Sequence, residues 1–251
     1  MPPEIAVQRV GMPGTHLGNR SLSRVGLLPD AIVGVETNYY VQQMGPGHSV
    51  PPRPGRGQVF LFTAGAGEVR AEDRTFGFSE IAAFCAPGNP PLVIKASASP
   101  LEYLEILMDF RDHEAAQILK GAPFFVRYSQ CEAYGEAIKS PRTVSRTIVP
   151  TKTVPRFCMG SVEAVGPDEV GAHSHAMLEQ LFFGLPGNAC VVTADEAVVA
   201  FGERALLHVP PGSRHGVQVN EGRRLHYIWM DFFKSDGDIA YIQEQHRPIG
   251  K

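Results

Sequence analysis

The sequence predicts an all-β protein made of two similar β units in tandem, and three observations lead to that reading. Short strand-like runs bounded by Gly, Pro, Asn or Asp recur along most of the chain. The 26 Gly and 21 Pro among 251 residues are scattered rather than clustered, more than a helical bundle tolerates. The second half also repeats the first. "QVFLF" at 58 matches "QLFFG" at 180, an offset of 122; "APGNPP" at 86 matches "PPGSRH" at 210, and "LEYLEILMDF" at 101 resembles "LHYIWMDFF" at 225, both offset by 124. A nearly constant offset marks an internal duplication.

Residues 1–30, rich in Gly, Pro and Arg, are expected as an extension draped over the fold or over a partner subunit. The first β unit spans 31–112, with strands "AIVGVETNYYV" (31–41), "QVFLFT" (58–63), "GEVRA" (67–71), "IAAFCA" (81–86), "PLVIKA" (91–96) and "LEYLEILMDF" (101–110). A connecting segment, 113–145, follows. "DHEAAQILKG" has Asp112 as an N-cap, a helix-forming middle and Gly121 as a stop, so it reads as a short helix leading into a linker. The second unit spans 146–235, with "RFCMGSVEAV" (156–165), "LEQLFF" (178–183), "ACVVTA" (189–194), "EAVVAF" (196–201), "ALLHVP" (205–210), "HGVQV" (215–219) and "RLHYIWMDFF" (224–233). Residues 236–251 are left as a tail.

Composition narrows the classes of partner. The chain is 43% hydrophobic and 20% charged, an ordinary globular balance. A formal net charge of -3 without a run of Lys or Arg gives no footprint for nucleic acid. No stretch approaches the roughly 18 apolar residues of a membrane span, and "MPPEIAVQRVGMPG" lacks the apolar core of a signal peptide. A cytoplasmic protein with a small-molecule substrate and no membrane partner is the expectation. Cys85, Cys131, Cys158 and Cys190 are widely spaced without a CxxC, which argues against a thiolate zinc cluster and for reduced, buried thiols. Exposed edge strands lead us to expect a homo-oligomer.

The chemistry gathers in "AHSHAMLEQLFFG", residues 172–184. On a strand alternate side chains share a face, so His173 and His175 are expected to point the same way, with Glu179 arriving on the next pairable strand. Later, "PPGSRHGV" turns the chain and delivers His215 at the head of another strand. Three imidazoles and a carboxylate converging inside a small barrel suit one divalent ion per chain, Zn foremost and Mn, Ni or Fe as alternatives.

These residues resemble the cupin superfamily, whose first motif ends in HxHx3-4E and whose second contains PxGxxH; here they read "HSHAMLE" and "PPGSRH". The resemblance implies two tandem cupin (jelly-roll) barrels, with His173, His175, Glu179 and His215 as the metal ligands. The first copy departs from the pattern. Shifting the ligands back by the repeat offset lands on Pro51, Arg53, Gly57 and Pro91, a set that holds no metal, and His48 nearby reads as a solvated loop histidine. The first barrel is therefore expected to be structural, to cap the second, or to recognise a remote part of the substrate through a group such as Arg53.

The second half is also similar to the isomerases of 5-dehydro-4-deoxyuronate and of 5-deoxyglucuronate, through "RFCMGSVEAVGPDEVGAHSHAMLEQLFFGLPGNACVV", "ALLHVPPGSRHGV" and "HYIWMDF". That resemblance implies a metal-dependent aldose-ketose isomerase acting on a uronate or related sugar acid. One departure concerns spacing: those isomerases leave four residues between HxH and Glu, and this chain leaves three. Such a reaction needs a group to move a proton beside a carbonyl. Candidates are His226, Tyr227 and His208, with strand parity allowing only one of His226 and Tyr227 into the interior. Alternatives are a cupin dioxygenase, a protein like ureidoglycine aminohydrolase, and a non-catalytic sugar-binding or regulatory cupin.

Overall fold

The computed structural model describes residues 5–11, 21–86, 90–111, 113–114, 123–235, 237–240 and 248–249. Its strands in chain order are β1 (Ala6–Arg9), β2 (Leu22–Leu27), β3 (Val35–Gln42), β4 (His48–Val50), β5 (Arg56–Ala71), β6 (Arg74–Phe78), β7 (Ala82–Cys85), β8 (Leu92–Asp109), β9 (Phe124–Arg127) and β10 (Ala133–Glu136). They continue with β11 (Val144–Val154), β12 (Phe157–Val165), β13 (Asp168–His173), β14 (Leu178–Gly184), β15 (Ala189–Ala194), β16 (Ala197–Gly202), β17 (Ala205–Val209), β18 (His215–Val219), β19 (Arg224–Phe233) and β20 (Pro248–Ile249). The fold is all-β. Of the helix expected after Asp112, only His113 and Glu114 fall within the described residues, and both are helical; the rest lies outside them.

The chain divides into two compact units, Val10–Gln130 and Met1–Arg9 with Cys131–Lys251. In the first, β5 and β8 run antiparallel for almost their whole length, with register shifts between Phe62 and Gly67. Gly65 makes the bend possible: its φ is +87°, and a Cβ there would lie 2.4 Å from the Pro100 carbonyl. Below the bend the order is β2-β3-β8-β5-β7-β9; above it β4 flanks β8 and β6 flanks β5. Tyr40, Phe60, Phe62, Val69, Phe84, Ile94, Leu101 and Tyr103 pack the core between the two faces. His48, expected in a solvated loop, instead sits half-buried on β4, its Nδ1 2.6 Å from the Tyr103 hydroxyl.

The second unit has an eight-stranded sheet, β1-β17-β14-β19-β12-β11-β10-β20, and a four-stranded sheet, β13-β18-β15-β16. Val162, Phe182, Val192, Phe201, Leu207, Val217, Leu225 and Tyr227 form the core between them. On β19, Tyr227 and the partly buried Trp229 face this interior, while Ile228 and Met230, both 0% exposed, lie on the opposite face. Burial on both faces explains why "YIWMDFF" reads as a continuous apolar run rather than an alternation.

Three expectations about boundaries change. Residues 1–30 contain two strands: β1 pairs β17 in the second unit, and β2 pairs β3 in the first. The segment expected as helix and linker, 113–145, contributes β9 to the first unit and β10 to the second. From the tail, β20 pairs β10. β1, β2, β9 and β20 are short edge strands and β10 a short strand between β11 and β20; the backbone of each finds a partner without a long apolar pattern to announce it. All four cysteines are buried and outside any disulfide. No helix among the described residues is long and apolar enough to cross a membrane.

Candidate metal centre

The four-stranded sheet and the loop that follows it supply three imidazoles. His215 opens β18, on the face shared with Val217 and Val219 of the core. Ahead of it the chain turns at Gly212, whose φ is +78°. Asp195, in the turn between β15 and β16, fastens this segment: its carboxylate accepts from the Ser213 hydroxyl at 2.8 Å and from the Arg214 amide at 3.0 Å. Those two hydrogen bonds hold the Asp195 carboxyl below the usual range.

His173 reaches the same side through a bulge. Val170 pairs with Val217 and His173 with His215, so three steps along β13 match two along β18. Without the extra residue His173 would face outward. Gly216 makes room, since a Cβ there would stand 3.1 Å from the Val170 carbonyl and 3.3 Å from the Ala172 Cα. His175 is not on the strand, contrary to the expected alternation; it lies in the loop before β14, where its carbonyl accepts from the Gly212 amide at 2.8 Å. One turn therefore positions both His175 and His215.

One potential ligand atom from each of His173, His175 and His215 lies within 4.8 Å of the others, the one such group among the described residues. Ring centroids are 4.5 to 5.6 Å apart. His173 Nδ1 donates to the Gly171 carbonyl at 2.8 Å, and His215 Nδ1 to the Ser213 carbonyl at 3.1 Å. A carbonyl only accepts, so both rings carry their proton on Nδ1 and present the Nε2 lone pair. That arrangement recurs behind metal-binding histidines, where the second hydrogen bond fixes tautomer and ring orientation. The trio fits a divalent ion.

The other expected site residues separate. Glu179 is not part of the trio: its Oε2 lies 2.8 Å from His208 Nε2. On β14 it alternates with Phe182, whose ring is 6.0 Å from His215 in an edge-on contact, so Glu179 and the inward residues occupy opposite faces. His208 stands across from Leu181 and between the core residues Leu207 and Val209, which turns it away from the interior as well. His226 also faces away, opposite Glu163 and 3.9 Å from its carboxylate. Burial, reinforced by Arg224 and opposed by Glu163, pulls the pKa of His226 down to about 4. Tyr227 is the one of the three proton-transfer candidates on the core side, 4.9 Å from Phe182; burial pushes its hydroxyl well above the ordinary value.

The sequence reading missed two interior features. Gln180, 7% exposed, lies on the inward face of β14 and donates from Nε2 to Asp231 Oδ1 at 2.9 Å. Lys139 and Glu136 form a buried ion pair at 2.5 Å, with Lys139 also 2.7 Å from the Ser145 hydroxyl. Burial pulls the Lys139 ammonium below its usual value, against the attraction of Glu136 and Asp231. An isolated lysine in a segment expected as linker carries no periodic signal. Gln180 had one, the four-residue spacing after His175.

Neither a scan of protein-family models nor a search of curated proteins finds a match. Solved structures do. The protein Ylba from E. coli superposes with a TM-score of 0.69 at 12% identity, covering 92% of each chain. An iolb-like protein from Salmonella typhimurium gives 0.65 at 15% identity, over 83% of this chain and 90% of that one. A variant of oxalate decarboxylase from Bacillus subtilis gives 0.64 at 14% identity, over 86% and 73%. A cupin 2 conserved barrel domain protein from Leptotrichia buccalis gives 0.58 at 13% identity, over 85% and 89%. At such identities the likeness is one of fold, and the fold is that of the cupins.

Proposed function

We propose that this cupin-fold chain is a metal-dependent enzyme of two tandem barrels, in which the second binds one divalent ion and isomerises a uronate or related sugar acid. The observation that carries the reading is the convergence of His173, His175 and His215, two of them with the tautomer fixed by a backbone carbonyl. Zinc is the first choice of ion, with manganese, nickel and iron as alternatives; borderline imidazole donors suit all four. The similarity of "HSHAMLE", "PPGSRH" and the "HYIWMDF" strand to the uronate isomerases supports the reaction class.

A divalent ion here supplies Lewis acidity, stabilising charge that develops when a proton leaves the carbon beside a carbonyl. Around it the chain's own residues exclude water and orient the substrate. Phe182, Tyr227 and Trp229 line an apolar interior that excludes water from the polar groups. Tyr227, held protonated, donates a hydrogen bond to a substrate oxygen. His208 and His226 take no part in proton transfer because they lie on the other face. The first unit serves as a metal-free barrel. Its interior holds Tyr40, Gln58 and His48 in hydrogen bonds that end on Glu105 and Tyr103.

The test is the metal content of protein purified without a chelating tag, followed by incubation with uronates in D2O. Near-stoichiometric metal, absent from His175→Ala and His215→Ala, together with deuterium uptake beside the substrate carbonyl, is expected. Full metal binding in either variant rejects the centre. Metal without deuterium exchange on any uronate rejects the isomerase.

A further inference from the structure

We infer that the indole of Trp229 is the platform on which the ring of a sugar acid lies in the second unit, beside the three histidines. This deepens the sugar-acid reading and rests on it. Exposure comes first. From Leu225 to Phe233 on β19, Trp229 alone is not buried, although it faces the interior and packs against the core. A residue on an inner face reaches solvent only where that interior is open. Across the sheet the same row runs Thr147, Gly160, Trp229 and Phe182, from β11 to β14. Thr147 is exposed and Gly160 has no side chain, so the opening extends from the indole toward β11.

Gly160 fixes the indole. A Cβ there would stand 2.3 Å from Cζ2 and 2.7 Å from Cε2, so the ring occupies the space a side chain would fill. Among the described residues no acceptor takes its Nε1–H, a group that a tryptophan buried in a core usually satisfies. Packed on one side and open on the other, the ring offers a ligand an apolar surface of fixed orientation.

The surroundings select the ligand. The negative face of an indole attracts C–H groups polarised by neighbouring oxygens, and a sugar ring carries several of them on one side. Polar groups flank the row: Tyr134, hydrogen-bonded to Thr147, on one side, and Asp231, two residues further along β19, on the other. An apolar floor between hydroxyl and carboxylate walls suits a ring with an apolar face and hydroxyls around its rim. Phe182, directly opposite Trp229, meets the His215 ring edge-on at 6.0 Å. Platform and imidazoles are thus separated by one strand, about 5 Å across the sheet, within the span of a six-carbon sugar acid.

The experiment is titration of Zn2+-loaded protein with D-glucuronate, followed by calorimetry and by the emission of Trp229, the single tryptophan. Glucuronate should shift that emission and shield the indole from quenching by acrylamide. Trp229→Leu should bind glucuronate about tenfold more weakly, and Trp229→Phe, which keeps a smaller aromatic face, should fall between, with Zn2+ affinity unchanged in both. Glucuronate bound by the wild type without effect on emission or quenching, or bound as tightly by Trp229→Leu, overturns the inference and leaves the sugar-acid reading standing. Loss of Zn2+ from both variants would make Trp229 a packing residue and overturns the inference as well. Failure of the wild type to bind glucuronate overturns both the platform and the sugar-acid reading, while the three-histidine centre stands.

Discussion

Acidification from pH 7 to 4 should strip stability from the second unit through His226. Its ring is 5% exposed and faces Glu163 of β12, Arg146 of β11 and Arg224 of its own strand. In the native protein it takes up a proton only near pH 4, against an ordinary 6.5. Between those values the unfolded chain holds more protons than the folded one, so stability is complete above 6.5 and falls as pH drops toward 4. The gap between 6.5 and about 4, at about 1.4 kcal/mol per pH unit, is worth about 3 kcal/mol. Urea unfolding of metal-free protein, followed by the fluorescence of Trp229, the single tryptophan, reports on this unit alone. His226→Gln keeps a polar group of similar length without the titration, and His48, which burial also holds low, contributes equally to both proteins. Wild type should lose about 2–3 kcal/mol relative to the variant between pH 6.5 and 4. Parallel curves for the two would refute the reasoning.

Three further outcomes are expected. Gly160→Ala should destabilise the second unit by about 1–3 kcal/mol through overpacking, because the new Cβ would lie 2.3 Å from both the Arg146 carbonyl and the Trp229 ring; an unchanged urea midpoint contradicts this. Lys139→Met should cost about 3–5 kcal/mol by stranding Glu136, and adding Glu136→Leu should recover most of it; a single variant as stable as wild type would show that the pair is not buried as described. Gly216→Val should push against the bulge that turns His173 inward and weaken Co2+ binding at least tenfold, whereas unchanged affinity would mean that His173 does not depend on that bulge.

The three histidines were legible because HxH and PxGxxH fix which residues meet once the strands around them pair. Glu179, expected beside them, lies on the other face of β14 against His208, since a displacement of one residue reverses the face of a side chain. His173 is the mirror case, since a bulge invisible in the sequence brings inward a residue that regular alternation would turn out. His208 and His226 fell on the wrong side because apolar residues cover both faces of β17 and β19, leaving no alternation to identify the inner one. The main strands announced themselves by apolar runs between turns, and the repeat offset pointed to a duplication. Edge strands such as "AVQR" did not, for their place depends on a backbone partner far along the chain.

That distance has a bearing on synthesis. β1 leaves the ribosome long before its partner, for Ala6 pairs with His208, some 200 residues later. At about 5–20 residues per second, the strand waits roughly 10 to 40 seconds before its partner exists. The first unit can close in the interval, while the second must keep an edge open until a segment made long before returns to fill it. A nascent chain stalled before β17 would therefore hold β1 as an unpaired strand, available to a chaperone or to a neighbouring chain on the same message.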